Sequence, residues 1–139
     1  MIIRAAHSGD IESVLELWRA AEGRPTVTDT HEGLQRLLSR GDEPLLLAER
    51  GGVVVGTLIA AWDGWRGSFY RLAVHPSVRR RGVATALLRE GERRLVGLGA
   101  VRLTAIVVDN EPGAMGFWAA AGYAPQEHRA RFVLDGPPT

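Results

Sequence analysis

The chain has 139 residues, 45% hydrophobic and 24% charged, which suits one globular domain built around one core. Its 17 basic and 16 acidic residues give a formal net charge of +1, which argues against a broad nucleic-acid-binding surface. Without cysteine, disulfides and a cysteine nucleophile are excluded. No apolar run reaches the roughly 18 residues of a membrane span, and the N-terminus lacks the apolar segment of a signal peptide, so a cytoplasmic protein is expected.

The first part of the chain predicts a strand followed by two helices. Residues 2–5 form a short apolar strand, and Asp10 is the predicted N-cap of a helix over about residues 11–21. Trp18 lies on the apolar face of that helix and is expected in the core. A second helix is predicted after the polar turn 28–30, because leucines follow it at helical spacing.

The middle of the chain predicts an antiparallel meander. Two apolar strands, residues 45–49 and 53–62, are joined by Gly51-Gly52, a favourable hairpin turn. A second turn at residues 63–67 leads into a strand over residues 68–74, which is rich in aromatic and apolar side chains.

A basic, glycine-containing loop follows that last strand and opens a long helix. His75-Pro76 ends the strand, and from Val83 apolar residues recur at helical spacing. Arg79–Arg81 and Gly82 precede the helix, whose first N–H groups have no intrahelical partner. Three arginines alone would equally fit a solvated loop. Their position at a helix start, with Gly82 allowing close backbone approach, predicts a pyrophosphate site.

The last third predicts one more parallel strand and one more helix. Gly99 is the predicted C-cap of the long helix. Residues 101–108 form an apolar strand directly after the strand–helix unit, so it should pair in parallel with residues 68–74. A helix with Pro112 in its first turn is expected to end at Gly122. Two final strands and a flexible tail are predicted at residues 123–126, 129–134 and 136–139.

Arg79-x-x-Gly82-x-Ala84 resembles the signature of the GNAT family of N-acetyltransferases. The preceding Leu72-Ala73-Val74-His75-Pro76 and the segment 110–123 fit the same family in the same order. The resemblance implies a single α+β or α/β domain over residues 1–135. It further implies a mixed sheet of about six or seven strands flanked by about four helices, with a splay between the strands at 68–74 and 101–108.

The resemblance implies acetyl-CoA as donor and a primary amine as acceptor, with direct transfer in a ternary complex. The free edge of the pre-loop strand would bind the pantetheine arm, the helix start would bind the pyrophosphate, and a later helix would face the apolar part of the cofactor. The cofactor contacts implied are Leu72, Ala73, Val74, Arg79, Arg80, Arg81, Gly82, Val83, Ala84, Thr85, Asn110, Phe117 and Trp118.

The catalytic groups of the family are not all present. Trp118 occupies the position of the usual tyrosine acid, and an indole N–H does not supply a proton. Ser68 occupies the position of a glutamate that the family uses as base. Tyr70, on the same strand face as Ser68, is the leading candidate for an acid or substrate-orienting group, ahead of Tyr123 and Asp63. The alternative is an acyl-CoA-binding sensor or regulator with little catalysis.

The acceptor is not identified by the sequence. The resemblance implies that residues 22–31 help to choose it, although His31 is more simply a surface or capping residue. Trp62 and Trp65 would fit the edge of the core or an acceptor pocket equally well. Exposed terminal strands would favour a homodimer.

Overall fold

In the computed structural model, which describes residues 1–22, 25–107 and 112–136, five strands form one mixed sheet in the order β1-β2-β3-β4-β5. The strands are β1 (Ile2–Ala5), β2 (Leu45–Arg50), β3 (Val53–Trp62), β4 (Gly67–Val74) and β5 (Leu103–Ala105). The helices are α1 (Ile11–Glu22), α2 (His31–Leu38), α3 (Val83–Leu98) and α4 (Pro112–Ala120). Two 3₁₀ turns, Ser8–Asp10 and Pro76–Val78, precede α1 and follow β4.

The sheet confirms the predicted fold class. Strands β1 to β4 pair antiparallel in chain order, and β5 pairs in parallel with β4, as the strand–helix–strand unit predicts. The glycines of the β2–β3 turn, Gly51 and Gly52, have positive φ angles of 55° and 80°. Most side chains resist that conformation, so the glycine pair sets this hairpin.

The predicted count of six or seven strands is wrong for the described residues, which form five. The segments 123–126 and 129–134 contain no strand, and β5 covers only three of the predicted residues 101–108. Residue 108 lies outside the described part. Alternating side chains indicate that a segment could be a strand, but a strand exists only where a partner supplies the ladder.

The start of α1 also differs from prediction. His7, rather than Asp10, is the capping residue, and it caps the 3₁₀ turn that leads into the helix. Asp10 accepts a hydrogen bond from the His7 backbone N–H at 2.9 Å and forms an ion pair with Arg4 at 2.8 Å. Arg4 also pairs with Glu49 at 2.9 Å, so this cluster ties β1, β2 and the start of α1 together.

Helix α3 packs closely on one face of the sheet. Leu87, Leu88 and Leu95 of this helix are at most 1% exposed. Three glycines bring the helix and the strands together, because a Cβ on any of them would lie within 3.0 Å of a neighbouring side chain. These glycines are Gly56 in β3, Gly67 in β4 and Gly91 in α3.

Helices α1 and α2 pack on the opposite face. A buried cluster joins both helices to β2 and to Ala73 of β4, and Trp18 is in it as predicted, 4% exposed. The members of the cluster are Ile11, Val14, Trp18, Leu34, Leu45, Leu47 and Ala73. The alternation of strand residues thus separates an α3 face from an α1/α2 face.

The chain divides into two compact units, residues 1–105 and 106–139, and each is described by itself. The first unit contains the sheet and α1 to α3, and the second contains α4. The predicted domain over residues 1–135 stays a prediction, and the predicted tail falls, apart from Gly136, outside the described residues. Among the described helices, none is long and apolar enough to cross a membrane.

Candidate functional site

A β-bulge interrupts β4 at Arg71 and Leu72. Tyr70 pairs with Ile59 and Ala73 pairs with Thr57, so two residues of β4 face the single Leu58 of β3. Arg71 has a φ of 53°, a left-handed conformation that is uncommon outside glycine. The bulge reverses which side chains of β4 point to each face.

Beyond the bulge, one edge of β4 has no strand partner in the described chain. The parallel ladder with β5 has three residue pairs and ends at Phe69 and Ala105. Residues 72–74, which are the predicted contacts Leu72, Ala73 and Val74, therefore have a ladder partner in β3 but none in β5. A strand edge of this kind presents free backbone N–H and C=O groups, as the predicted splay requires.

The start of α3 follows that edge closely. Gly82 is the N-cap, with φ 78° and ψ 9°, and no side chain hydrogen-bonds to the helix there. The Ala86 N–H donates to the Gly82 carbonyl at 3.0 Å, so the helical ladder begins only beyond Thr85. The N–H groups of Val83, Ala84 and Thr85 thus form an uncapped helix end that attracts anions.

The three arginines before Gly82 are all exposed, but they are not equivalent. Arg80 takes a left-handed φ of 64°, which turns the chain into the helix. The Arg79 guanidinium donates to the Ala21 carbonyl at 3.4 Å, near the end of α1. Arg79 therefore links the loop to α1, whereas its prediction as a phosphate contact remains untested.

Two polar side chains of β4 point to the α1/α2 face before the bulge. Tyr70 is 43% exposed, and Ser68 is half-buried beside Thr104, with their hydroxyls 3.3 Å apart. The predicted shared face of Ser68 and Tyr70 agrees with the register, since Tyr70 pairs with Ile59 and Ile59 packs against the α1/α2 cluster. Tyr70 thus presents its phenol on the side of the sheet that carries α1 and α2.

A polar network connects the bulge to the segment before α2, and sequence reasoning missed it. Trp18 donates its indole N–H to the Thr57 hydroxyl at 2.8 Å, and that hydroxyl donates to the Arg71 carbonyl at 2.9 Å. The Arg71 guanidinium lies 5.0 Å from the Trp18 ring and forms an ion pair with Asp29. One signal was available: Tyr70 and Arg71 break the alternation of β4, which indicates a bulge.

The tryptophans at the β3–β4 turn have different environments. The Trp62 six-membered ring lies beside Gly99, the C-cap of α3, which places Trp62 at the edge of the core. Trp65 is 69% exposed, with the Arg66 guanidinium 4.1 Å from its ring. Asp63 fixes the turn by accepting from the Trp65 and Arg66 N–H groups, and those bonds lower the pKa of its carboxyl.

The remaining predicted site residues belong to the second unit. Within α4, the Phe117 and Trp118 rings meet edge to face, with centroids 5.6 Å apart. Trp118 makes a second edge-to-face contact with Tyr123 at 5.0 Å, so a phenol adjoins the position of the usual tyrosine. Asn110 lies outside the described residues.

The described chain thus combines a mixed sheet, a β4 edge without a strand partner, and a helix start without a side-chain cap. The acetyltransferase (GNAT) family model matches residues 11–123, so the chain belongs to the GNAT family of acetyltransferases. A curated acetyltransferase of Yersinia enterocolitica is 33% identical over 127 residues, which are 91% of this chain and 90% of that protein.

Solved structures share the fold at low identity. A protein titled a transcriptional regulator from Bacillus halodurans superposes with a TM-score of 0.81 at 17% identity, covering 96% of this chain and 99% of that one. An aminoglycoside N-acetyltransferase, AAC(6')-Iy in complex with CoA, superposes with a TM-score of 0.79 at 19% identity, covering 96% and 94%. At such identities the likeness establishes the fold alone.

Proposed function

We propose that this protein is an N-acetyltransferase that transfers the acetyl group of acetyl-CoA to a primary amine. One observation carries the proposal: the β4 edge without a strand partner leads, through the turn and arginine loop of residues 75–82, to the uncapped N-terminus of α3. Family membership and the CoA complex of a structural neighbour support the same donor. A cytoplasmic location is part of the proposal.

The cofactor would bind along the backbone of this corner. The amides of the pantetheine arm would pair with backbone groups on this edge within the predicted contacts Leu72, Ala73 and Val74, in the manner of an added strand. Because Ala73 lies in a hydrogen-bonding position opposite Thr57, its neighbours Leu72 and Val74 would supply the N–H and C=O groups. The pyrophosphate would accept hydrogen bonds from the backbone of residues 81–85, with Arg80 and Arg81 adding charge. Beyond these contacts, Asn110, Phe117 and Trp118 stay predictions from the resemblance.

Transfer needs a neutral amine, stabilisation of the thioester oxyanion, and a proton for the departing thiolate. A lysine-type amine with a pKa near 10.4 is mostly protonated at neutral pH, so the acceptor must lose a proton before it attacks. A backbone N–H of the free β4 edge, such as that of Val74, is suited to donate to the oxyanion. The amine nitrogen then bonds to the carbonyl carbon as the carbon–sulfur bond breaks.

We assign Tyr70 as the leading acid or substrate-orienting group, because its exposed phenol lies on β4 next to the bulge and the free edge. Tyr123 is the second candidate, since its ring adjoins Trp118. Tyr70→Phe should lower kcat by about 10²-fold if the phenol acts as an acid. Tyr123→Phe is its matched control, and a reversed order of effects would transfer the role to Tyr123.

Binding of the donor is tested by calorimetric titration of acetyl-CoA. Gly82→Glu places a carboxylate beside the proposed pyrophosphate and should weaken binding about 100-fold or more, because like charges repel. Gly64→Glu is the matched control, since Gly64 is also left-handed, with φ 90°, and a Cβ added there would meet no atom within 4 Å. Unchanged affinity in Gly82→Glu, or no binding by the parent, refutes the proposal.

The alternative is an acyl-CoA sensor on the same fold. Trp118 at the tyrosine position favours the sensor, because an indole N–H donates a hydrogen bond but cannot transfer a proton to the departing thiolate. A panel of amines with thiol release as the readout separates the two functions. Acetyl-CoA binding without turnover of any amine would favour the sensor, whereas turnover of one amine excludes it.

A further inference from the structure

An ion pair between Asp29 and Arg71 joins the segment 25–30, between α1 and α2, to β4. The Asp29 carboxylate pairs with Arg71, and its side chain is only 7% exposed, against 18% for Arg71. The same carboxylate oxygen accepts from the Thr26 N–H at 2.8 Å. The Asp29 N–H in turn donates to the Thr26 carbonyl at 3.0 Å, which closes residues 26–29 into a turn.

Arg71 is fixed at both of its ends. Its carbonyl accepts from Thr57, and its guanidinium covers the Trp18 ring while it reaches Asp29 and, at 3.4 Å, the Thr26 hydroxyl. A guanidinium can stack on an aromatic ring and bind a carboxylate at once, whereas a lysine ammonium offers no planar fork. Arg71 lies in the bulge, and its guanidinium extends over the Trp18 ring of α1.

We propose that Arg71 is a positioning residue: CoA bound along β4 fixes the bulge, and Arg71 and Asp29 then hold segment 25–30 in place beside the acceptor site. The inference rests on the proposed function, which puts the pantetheine arm on the residues immediately after Arg71. The resemblance implies that this segment borders the acceptor. Arg71 would therefore couple CoA binding on the donor side to the position of segment 25–30 on the acceptor side. It would do so without contacting either reacting atom.

Hydrogen–deuterium exchange of segment 25–30, with and without saturating CoA, tests the proposal without a known acceptor. In the parent protein, CoA should slow exchange of the Asp29 amide by about fivefold or more, the usual scale of site-to-site coupling. Arg71→Ala and Asp29→Asn should abolish that slowing, and Arg71→Lys should retain part of it. Melting temperatures establish that each variant is folded.

Glu32→Gln supplies the matched control for Asp29→Asn. Glu32 pairs with Arg36 on α2, but both side chains are highly exposed, at 76% and 80%. This variant should respond to CoA as the parent does. Because coupling is reciprocal, Arg71→Ala should also bind CoA more weakly, by the factor that CoA protects the segment in the parent.

Three results overturn the inference, and they differ in what else they overturn. Parent protein that binds CoA without any change of exchange in segment 25–30 refutes Arg71 coupling alone. Equal slowing of exchange by CoA in the parent, Arg71→Ala and Asp29→Asn also refutes the coupling through Arg71 alone. Failure of the parent to bind CoA refutes the proposed function and this inference together.

Discussion

The two faces of the sheet are packed by different kinds of contact. On the α3 face, buried leucines and three glycines bring the helix and the strands together through close apolar packing. On the α1/α2 face, an apolar cluster is crossed by a hydrogen-bonded chain from Trp18 through Thr57 to Arg71, with the Arg71–Asp29 pair beyond it. Packing holds the helix that starts the proposed pyrophosphate site, whereas directional bonds hold the segment proposed to border the acceptor.

The largest effect is expected where the α3 face is closest-packed. Leu87→Ala, at a residue that is 0% exposed, should lower the free energy of unfolding by about 2–5 kcal/mol, because it leaves a cavity. A Cβ on Gly56 would lie 2.9 Å from the Leu87 side chain, so Gly56→Ala should also destabilise the parent.

The double variant sharpens this prediction. The combined variant Gly56→Ala/Leu87→Ala should lose less unfolding free energy than the sum of the two single losses, because the new methyl group enters the cavity. Strict additivity in urea unfolding would show that helix and strand are not in the contact described.

The next largest effect tests the polar chain of the α1/α2 face. Thr57→Val keeps the shape of a residue that is 0% exposed but leaves the Trp18 N–H and the Arg71 carbonyl without this partner. A buried unpaired group costs about 1–3 kcal/mol, and the bond to the Arg71 carbonyl is only part-buried and so adds little, which gives an expected loss of about 2–3 kcal/mol in urea unfolding.

Thr104→Val is the control for that substitution. The Thr104 hydroxyl lies 3.3 Å from the Ser68 hydroxyl, a longer contact than either bond of Thr57, and the residue is only half-buried. A loss in Thr57→Val no greater than that in Thr104→Val would contradict the stabilising role of the polar chain.

A pH dependence is expected from the ion pair at the start of α1. Hydrogen bonds from Arg4 lower the pKa of Asp10 from 3.8 to about 2, so the folded state favours the charged carboxylate. The resulting stability, about 2 kcal/mol, is fully present above the unfolded pKa and is lost as the pH falls towards 2. Asp10→Asn should remove it at pH 7 and flatten the decline in melting temperature between pH 5 and 2. A parent-like decline in Asp10→Asn would contradict this.

The sequence predicted the elements that local chemistry determines. The Gly51-Gly52 hairpin, the Gly82 helix start and the Gly99 helix end each need a left-handed backbone that glycine provides, and the structure has positive φ at all four glycines. Their signals lie within a few neighbouring residues, so no knowledge of distant partners was needed.

Long-range pairing was not predictable in the same way. Arg71 and Asp29 are 42 residues apart, and nothing in either local segment indicates the other. Arg71 lies in the β4 bulge. The side chains that follow the bulge point to the opposite faces from those that regular strand alternation predicts. The final strands were wrong for a related reason, because a ladder depends on a partner that the segment itself does not encode.

The smallest expected effect is a difference in melting temperature between two glycine-to-alanine variants of α3. This difference separates packing from helix propensity. Gly91 and Gly97 lie in the same helix, but a Cβ on Gly91 would be 2.9 Å from Leu58 and 3.0 Å from Phe69, whereas one on Gly97 would meet no atom within 4 Å. Both alanine variants gain up to about 1 kcal/mol of helix propensity. Only Gly91→Ala also forces the helix away from the sheet, so its melting temperature should be lower than that of Gly97→Ala. The melting temperature of Gly97→Ala should equal or exceed that of the parent. Equal melting temperatures would show that the α3 face tolerates expansion and is not held by shape.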